Sequence, residues 1–212
     1  MSKFVMTNQT IVHNDHVLHR IVATEDFGDV KKGDFGGWIQ SEDNLSQYRC
    51  DECWVADEAK VYDDARITDS AVISGKAEVF GNAKVYNDAH VFSEAKVYGA
   101  ARVGGNAVVN EKARVHDNAR VDDYALITDQ AEVFNDGQVF DNACIMDRGM
   151  VYDKASVSGT VVVDGDAAIC NSIHINGDFE VVKSEGINNP DTTESLLTLS
   201  IRVENRYSHS NT

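Results

Sequence analysis

The sequence predicts an all-β fold, a solenoid of stacked parallel strands, and three observations carry that prediction. The first is a six-residue period: from Cys53 to Ser184 the chain divides into 22 blocks without insertion or deletion, from CWVADE, AKVYDD and ARITDS onward to FEVVKS. The second is that the third position of every block is Val or Ile, while the first is Ala in 16 of the 22. The third is the fifth position, which through Gly177 is Asp, Asn or Gly in 19 of 21 blocks, with Ser93 and Glu111 as exceptions.

Each observation has a physical reading. A period of six cannot keep one face of a 3.6-residue helix apolar, whereas two inward residues around one outward residue suit a very short strand. Asp, Asn and Gly tolerate left-handed backbone angles or bond to their own backbone, so the fifth position turns the chain. A block this short cannot bury its own Val, but blocks stacked about 4.8 Å apart share backbone hydrogen bonds and a continuous aliphatic column. Each buried Val or Ile contributes about 1.5–3 kcal/mol before conformational entropy is subtracted.

An aliphatic residue followed four positions later by a small one, as in Val61 to Ala65 and Val85 to Ala89, resembles the hexapeptide-repeat, left-handed parallel β-helix family over roughly residues 53–184. That resemblance implies three blocks per triangular coil, about seven coils, and a prism about 35 Å tall at the usual strand spacing. It also implies the left hand and a trimeric assembly.

The flanks differ in kind. Thr10 to Thr24 is β-rich around Asn14-Asp15 and reads as a hairpin, and the glycine-dense stretch Asp26 to Ile39 follows it. An open first coil needs a cover, so residues 1–52 are assigned to an N-terminal cap. The runs Phe27-Gly28-Asp29-Val30 and Gly33 to Glu42 resemble the start of uncharacterised phage and enterobacterial repeat proteins, which implies a phage or prophage setting. Residues 185–212 are assigned to a C-terminal cap and tail: a loop to Pro190, then either a capped helix from Asp191 or a closing strand Leu197 to Val203, with 207–212 frayed.

Composition narrows the function classes. The chain has 212 residues and a formal net charge of −16, which argues against direct nucleic-acid binding and against an anionic membrane as partner. With 42% hydrophobic and 25% charged residues it is globular in composition. No apolar run is long enough to span a bilayer, and Met1 to Thr7 leads into polar sequence without a signal-peptide core, so a cytoplasmic protein is expected. The cysteines at 50, 53, 144 and 170 are too few and too irregular for a secreted disulfide framework.

With three blocks per coil, residues 18 apart lie above one another, and the outward positions sort onto three faces. One carries Val72, His90, Val108, Leu126, Cys144 and Val162 beside Ser74, Phe92, Asn110, Thr128 and Met146. Its apolar members Val72, Phe92, Val108, Leu126, Met146 and Val162 read as an oligomer interface, with cover by the terminal segments as the alternative. The second carries Tyr62, Phe80, Tyr98, His116, Phe134 and Tyr152: structural stacking, or a flat binding platform for a sugar, a base or a protein. The third stacks Arg66, Lys84, Arg102 and Arg120, a candidate anion stripe unless the corner acids Asp63, Asp69, Asp117 and Asp123 neutralise it.

No catalytic constellation, metal site or cofactor is read from the chain. Acyl transfer, which the family resemblance brings to mind first, needs a general-base His and a loop leaving the coils, yet the blocks run unbroken past His90, His116 and His174. Cys50 and Cys53 form a lone CxxC, and His13, His16 and His19 on a hairpin do not easily meet one metal. Gly33-Asp-Phe-Gly-Gly lacks the Lys and Ser/Thr of a phosphate loop. The expectation is therefore a non-enzymatic homo-oligomeric scaffold or binding module, trimeric and partnered by itself or a host protein. Its rivals are an acidic inhibitor acting as a DNA mimic or nucleotide sink, and an acyltransferase-like enzyme.

Overall fold

A computed structural model describes residues 2–183 and 199–202. Each of the 22 blocks forms one strand, from Trp54–Val55 to Glu180–Lys183. Each strand pairs in parallel with the one 18 residues on, as Lys60 with Glu78 and Val61 with Val79, so three blocks close one coil. Three sheets result. The first runs from Trp54–Val55 to Glu180–Lys183, the second from Lys60–Val61 to Ala168–Ile169, and the third from Arg66–Ile67 to His174–Gly177. By their outward residues they are called the apolar, aromatic and basic sheets below. The only helical turn among the described residues is 3-10, Glu42–Asn44, and no helix there is long and apolar enough to cross a membrane.

The core is the column of third-position residues: Val or Ile at every step from Val55 to Ile169 is fully buried, with Ala at the corners between the walls. The backbone is satisfied between coils. The amide of the second position donates to the first-position carbonyl of the next coil (Lys60 to Ala77, 2.9 Å), and that of the fourth donates to the third (Tyr62 to Val79, 3.1 Å).

The corners explain why the fifth position is so often Asp. From Asp57 to Asn171 every fifth-position residue has φ between 53° and 77°, including the exceptions Ser93 and Glu111. That is the left-handed region, which Asp, Asn and Gly tolerate best. Aspartate adds a second service. Its carboxylate accepts the fifth-position amide one coil later: Gly75 on Asp57 (2.9 Å), Gly81 on Asp63 (3.1 Å), Asn87 on Asp69 (3.0 Å), Asn135 on Asp117 (3.2 Å), Asp141 on Asp123 (3.3 Å), Gly159 on Asp141 (2.9 Å). An amide that the strand ladder leaves over is thereby paired.

The solenoid starts before the regular repeat does. Trp38 and Ile39 pair in parallel with Lys60 and Val61, and Leu45 bridges to Ile67. Residues 38–55 therefore form a coil of their own, giving eight coils, with four extra residues in the corner between Leu45 and Val55. Gly37 permits the close approach, since a β-carbon there would lie 2.6 Å from the Ala59 carbonyl oxygen. Of the stretch 1–52, residues 2–34 are the part outside the coils.

Strands β1 (Phe4–His13) and β2 (His16–Ala23) form the antiparallel hairpin expected around Asn14-Asp15, which have φ of 48° and 67°. Positive φ at both central residues matches the right-handed twist of the two strands. Strand β2 pairs with β3 (Phe35–Ile39), which leads into the aromatic sheet. Phe4, Ile21 and Ala23 join the end of the core. Lys3 is buried with them; its ammonium donates to the Asp51 carbonyl at 2.7 Å and lies 4.8 Å from the centre of the Phe27 ring. At the other end Leu199–Arg202 adds an antiparallel strand to Glu180–Lys183, the closing-strand alternative of the sequence reading. The capped helix from Asp191 and the tail 207–212 lie outside the described residues.

Candidate functional site

The outward columns fall on three sheets as the 18-residue register requires. On the apolar sheet His90 pairs with Val72 and Val108, and Leu126 with Val108 and Cys144, then Val162 follows. Phe92 and Met146 stand in the parallel column with Ser74, Asn110 and Thr128. From Val72 to Val162 no outward residue of this sheet is an acid, Lys or Arg; the first is Asp164. Val72, Phe92, Val108, Leu126, Met146 and Val162 are each half-buried by their neighbours up and down the column. The hairpin extends the aromatic sheet, while Phe4 and Phe27 of the N-terminal segment pack against Trp54, the first outward residue of the apolar sheet.

The aromatic column is a continuous ladder. Tyr62, Phe80, Tyr98, His116, Phe134 and Tyr152 stack with ring centres 4.7–5.3 Å apart and planes within 8° of parallel. Rings stacked in this way use their faces on one another and turn their edges outward, so the ladder is not a platform on which a sugar or base can lie flat. Its first rung is also occupied. Tyr62 is 2% exposed, packed with Leu18 and Trp38, and edged by His13 and His16 of the hairpin. Burial pushes the Tyr62 phenol up to about 12. His13 and His16 are cross-strand neighbours that reach Glu78 (3.2 Å) and Asp63 (3.3 Å), whereas His19 Nδ1 meets the Thr7 carbonyl. His13 and His16 thus dock the hairpin, His19 bonds within it, and the three do not converge.

On the basic sheet Arg66, Lys84, Arg102 and Arg120 stand in direct register on four successive rungs. Arg120 pairs with Asp122 at 2.7 Å, and hydrogen bonds to this carboxylate hold the guanidinium above its usual range. Asp122 also accepts the Tyr86 hydroxyl at 3.2 Å, from two coils away. Tyr86 can lean that far because Gly104 lies beneath it; a β-carbon there would meet the ring at 2.4 Å. Arg66, Lys84 and Arg102 have no ion pair among the described residues. The corners expected to neutralise them form no ion pair with the row: Asp63, Asp69, Asp117 and Asp123 each accept a backbone amide, and Asp63 and Asp117 also pair with His16 and His116.

Sequence reasoning missed one feature, a groove along the corner between the apolar and aromatic sheets lined by Lys60, Lys76, Glu78, Glu94, Lys96, Lys112 and Arg114. Sixth-position residues were not sorted into columns, which is the signal that would have found it. Its lining sets five cations against Glu78 and Glu94; Lys96 pairs with Glu78 at 3.5 Å and Arg114 with the neighbouring Glu132 at 3.0 Å.

Among the described residues no three His, Cys, Asp or Glu side chains gather closely enough to hold a metal. The CxxC is split between an exposed Cys50 and a buried Cys53, whose thiol burial pushes up to about 11. Acidic crowding occurs at the far end of the solenoid, where Asp164 and Asp129 raise the carboxyl of Asp147. The cause is local: the Asp164 carboxyl, itself an acceptor of the Gly165 amide, stands beside that of Asp147.

A repeat-family model described as YdcK Beta solenoid repeat matches residues 59–75 and 101–117. No curated protein matches the chain. Each matched segment covers almost one full coil, and together with the stacked parallel coils they fit a hexapeptide-repeat-like β-helix.

Proposed function

Taking the chain as a hexapeptide-repeat β-solenoid, we propose that it works without catalysis, as a homo-oligomeric scaffold that packs through its apolar sheet and displays its other faces. The observation that carries this reading is the uncharged outward surface from Val72 to Val162 on a chain of net charge −16. Two copies of so acidic a protein repel one another, and this sheet is a surface on which close approach removes apolar area without burying an acid, Lys or Arg. A flat row of Val, Leu, Phe and Met presented on consecutive rungs is the kind of patch that marks an interface. Trimeric closure is the assembly this proposal adopts.

The test is solution mass by light scattering for the native chain and for the double variant Val108→Glu with Leu126→Glu. A native trimer that becomes a folded monomer in the variant supports the proposal. A native monomer, or a variant that keeps the native mass, overturns it.

A further inference from the structure

Four cations in register are an unusual thing for an acidic solenoid to keep. Residues directly opposite on neighbouring strands interact, and like charges there are destabilising. The aromatic sheet relieves this at the equivalent position: Lys96 and Arg114 are adjacent, but Lys60 and Lys96 each have Glu78, and Arg114 has Glu132, on a neighbouring rung. The basic sheet does not: Arg66, Lys84, Arg102 and Arg120 follow one another with no acid between them. Among the described residues the corner acids form no ion pair with Arg66, Lys84 or Arg102, and Asp122 alone pairs with one of the four.

We propose that this row is a binding site for a short, linear oligophosphate, in which successive phosphates lie along Arg66, Lys84, Arg102 and Arg120. Three strand spacings of about 4.8 Å give a row about 14 Å long, with one positive charge on each of the rungs of Arg66, Lys84 and Arg102 and Arg120 paired with Asp122 at its end. Charge density selects the ligand class. An extended acidic peptide presents a side chain to one face only every ~6.6 Å, twice the rise per residue, which is too sparse to match the rungs. A phosphate chain carries its charge more densely, and arginine, three of the four residues here, presents a fork that fits phosphate oxygens. Length selects a short chain over a nucleic-acid strand. Above Arg120 the column continues as neutral Gln138 and Ser156, with Asp141 at the adjacent corner, so a strand leaving the row at that end meets no further cation.

The test is isothermal calorimetry near 0.15 M salt with linear inorganic polyphosphates of two, three and six phosphates and with a single-stranded DNA dodecamer. Arg66→Gln with Lys84→Gln and Arg102→Gln is the test variant; glutamine is native to this column at Gln138, and circular dichroism checks the fold. Lys60→Gln with Lys96→Gln is the control. Affinity is expected to rise from two phosphates to six, to fall at least tenfold in the triple variant, and to stay within twofold in the control. Equal affinity at all lengths, an unchanged triple variant, an equal loss in the control, or binding of the dodecamer without binding of polyphosphate each overturns the assignment. The row lies on a different sheet from the proposed oligomer interface, so the mass measurement and the calorimetry fail independently.

Discussion

Replacing Asp141 with Ala separates the two services that a corner aspartate performs. Asp141 sits at φ 55° and its Oδ2 accepts the Gly159 amide at 2.9 Å. Alanine in the left-handed region costs about 1 kcal/mol, because its β-carbon crowds the following carbonyl and it has no short polar side chain to compensate. The amide it strands had a charged acceptor at the surface, and that loss is also about 1 kcal/mol. The sum, about 2 kcal/mol, corresponds to a fall of about 4–8 °C in Tm for a body of this size. Asp141→Asn keeps the conformational tolerance and a side-chain oxygen, as Asn87, Asn135 and Asn171 do at native corners, and is expected to cost under about 0.5 kcal/mol. Asp141→Gly keeps the conformation and loses the acceptor, for about 1 kcal/mol. Thermal melts followed by far-ultraviolet circular dichroism at one protein concentration read the series. If Ala melts with Asn, or Gly melts below Ala, the two-part account of the corners is wrong.

Two further outcomes follow from the titrating groups. The folded state holds the Asp147 proton more tightly than the unfolded chain does, so its contribution is most favourable below the unfolded carboxylate range and is lost as pH rises through the raised folded value. At neutral pH the ionised pair with Asp164 is a cost, and Asp147→Asn is expected to raise Tm at pH 7 and leave it unchanged near pH 3; equal effects at both would refute the like-charge explanation. For the thiols, iodoacetamide at pH 8 on the native protein should modify exposed Cys50 and spare Cys53, whose thiol is buried and shifted to about 11, with mass spectrometry of the digest as the readout. Modification of Cys53 as fast as Cys50 would mean that the first coil opens readily.

The amino-acid sequence by itself determined the strands, the aliphatic column and the corners, because each follows from a short-range rule repeated 22 times, while the 18-residue stacking was what the family resemblance implied and the strand register bears out. A Val at every sixth position has one way to be buried, and an Asp two residues later has one conformation that returns the chain to the core. The hairpin was legible for the same reason, from Asn14-Asp15 between two β-rich runs. Only the tertiary structure decided where non-repeating residues meet the repeat. Trp38-Ile39 and Leu45 enter the coils at a spacing of 22 residues, not 18, from Lys60-Val61 and Ile67, so no periodicity search includes them. The hairpin lands on Tyr62 and takes the first rung of the aromatic ladder, and the ladder's rings spend their faces on each other. The fate of the corner carboxylates was hidden too. The register places Asp63, Asp69, Asp117 and Asp123 near Arg66, Lys84, Arg102 and Arg120, but each carboxylate is oriented by the backbone amide it accepts from the next coil and forms no ion pair with the row.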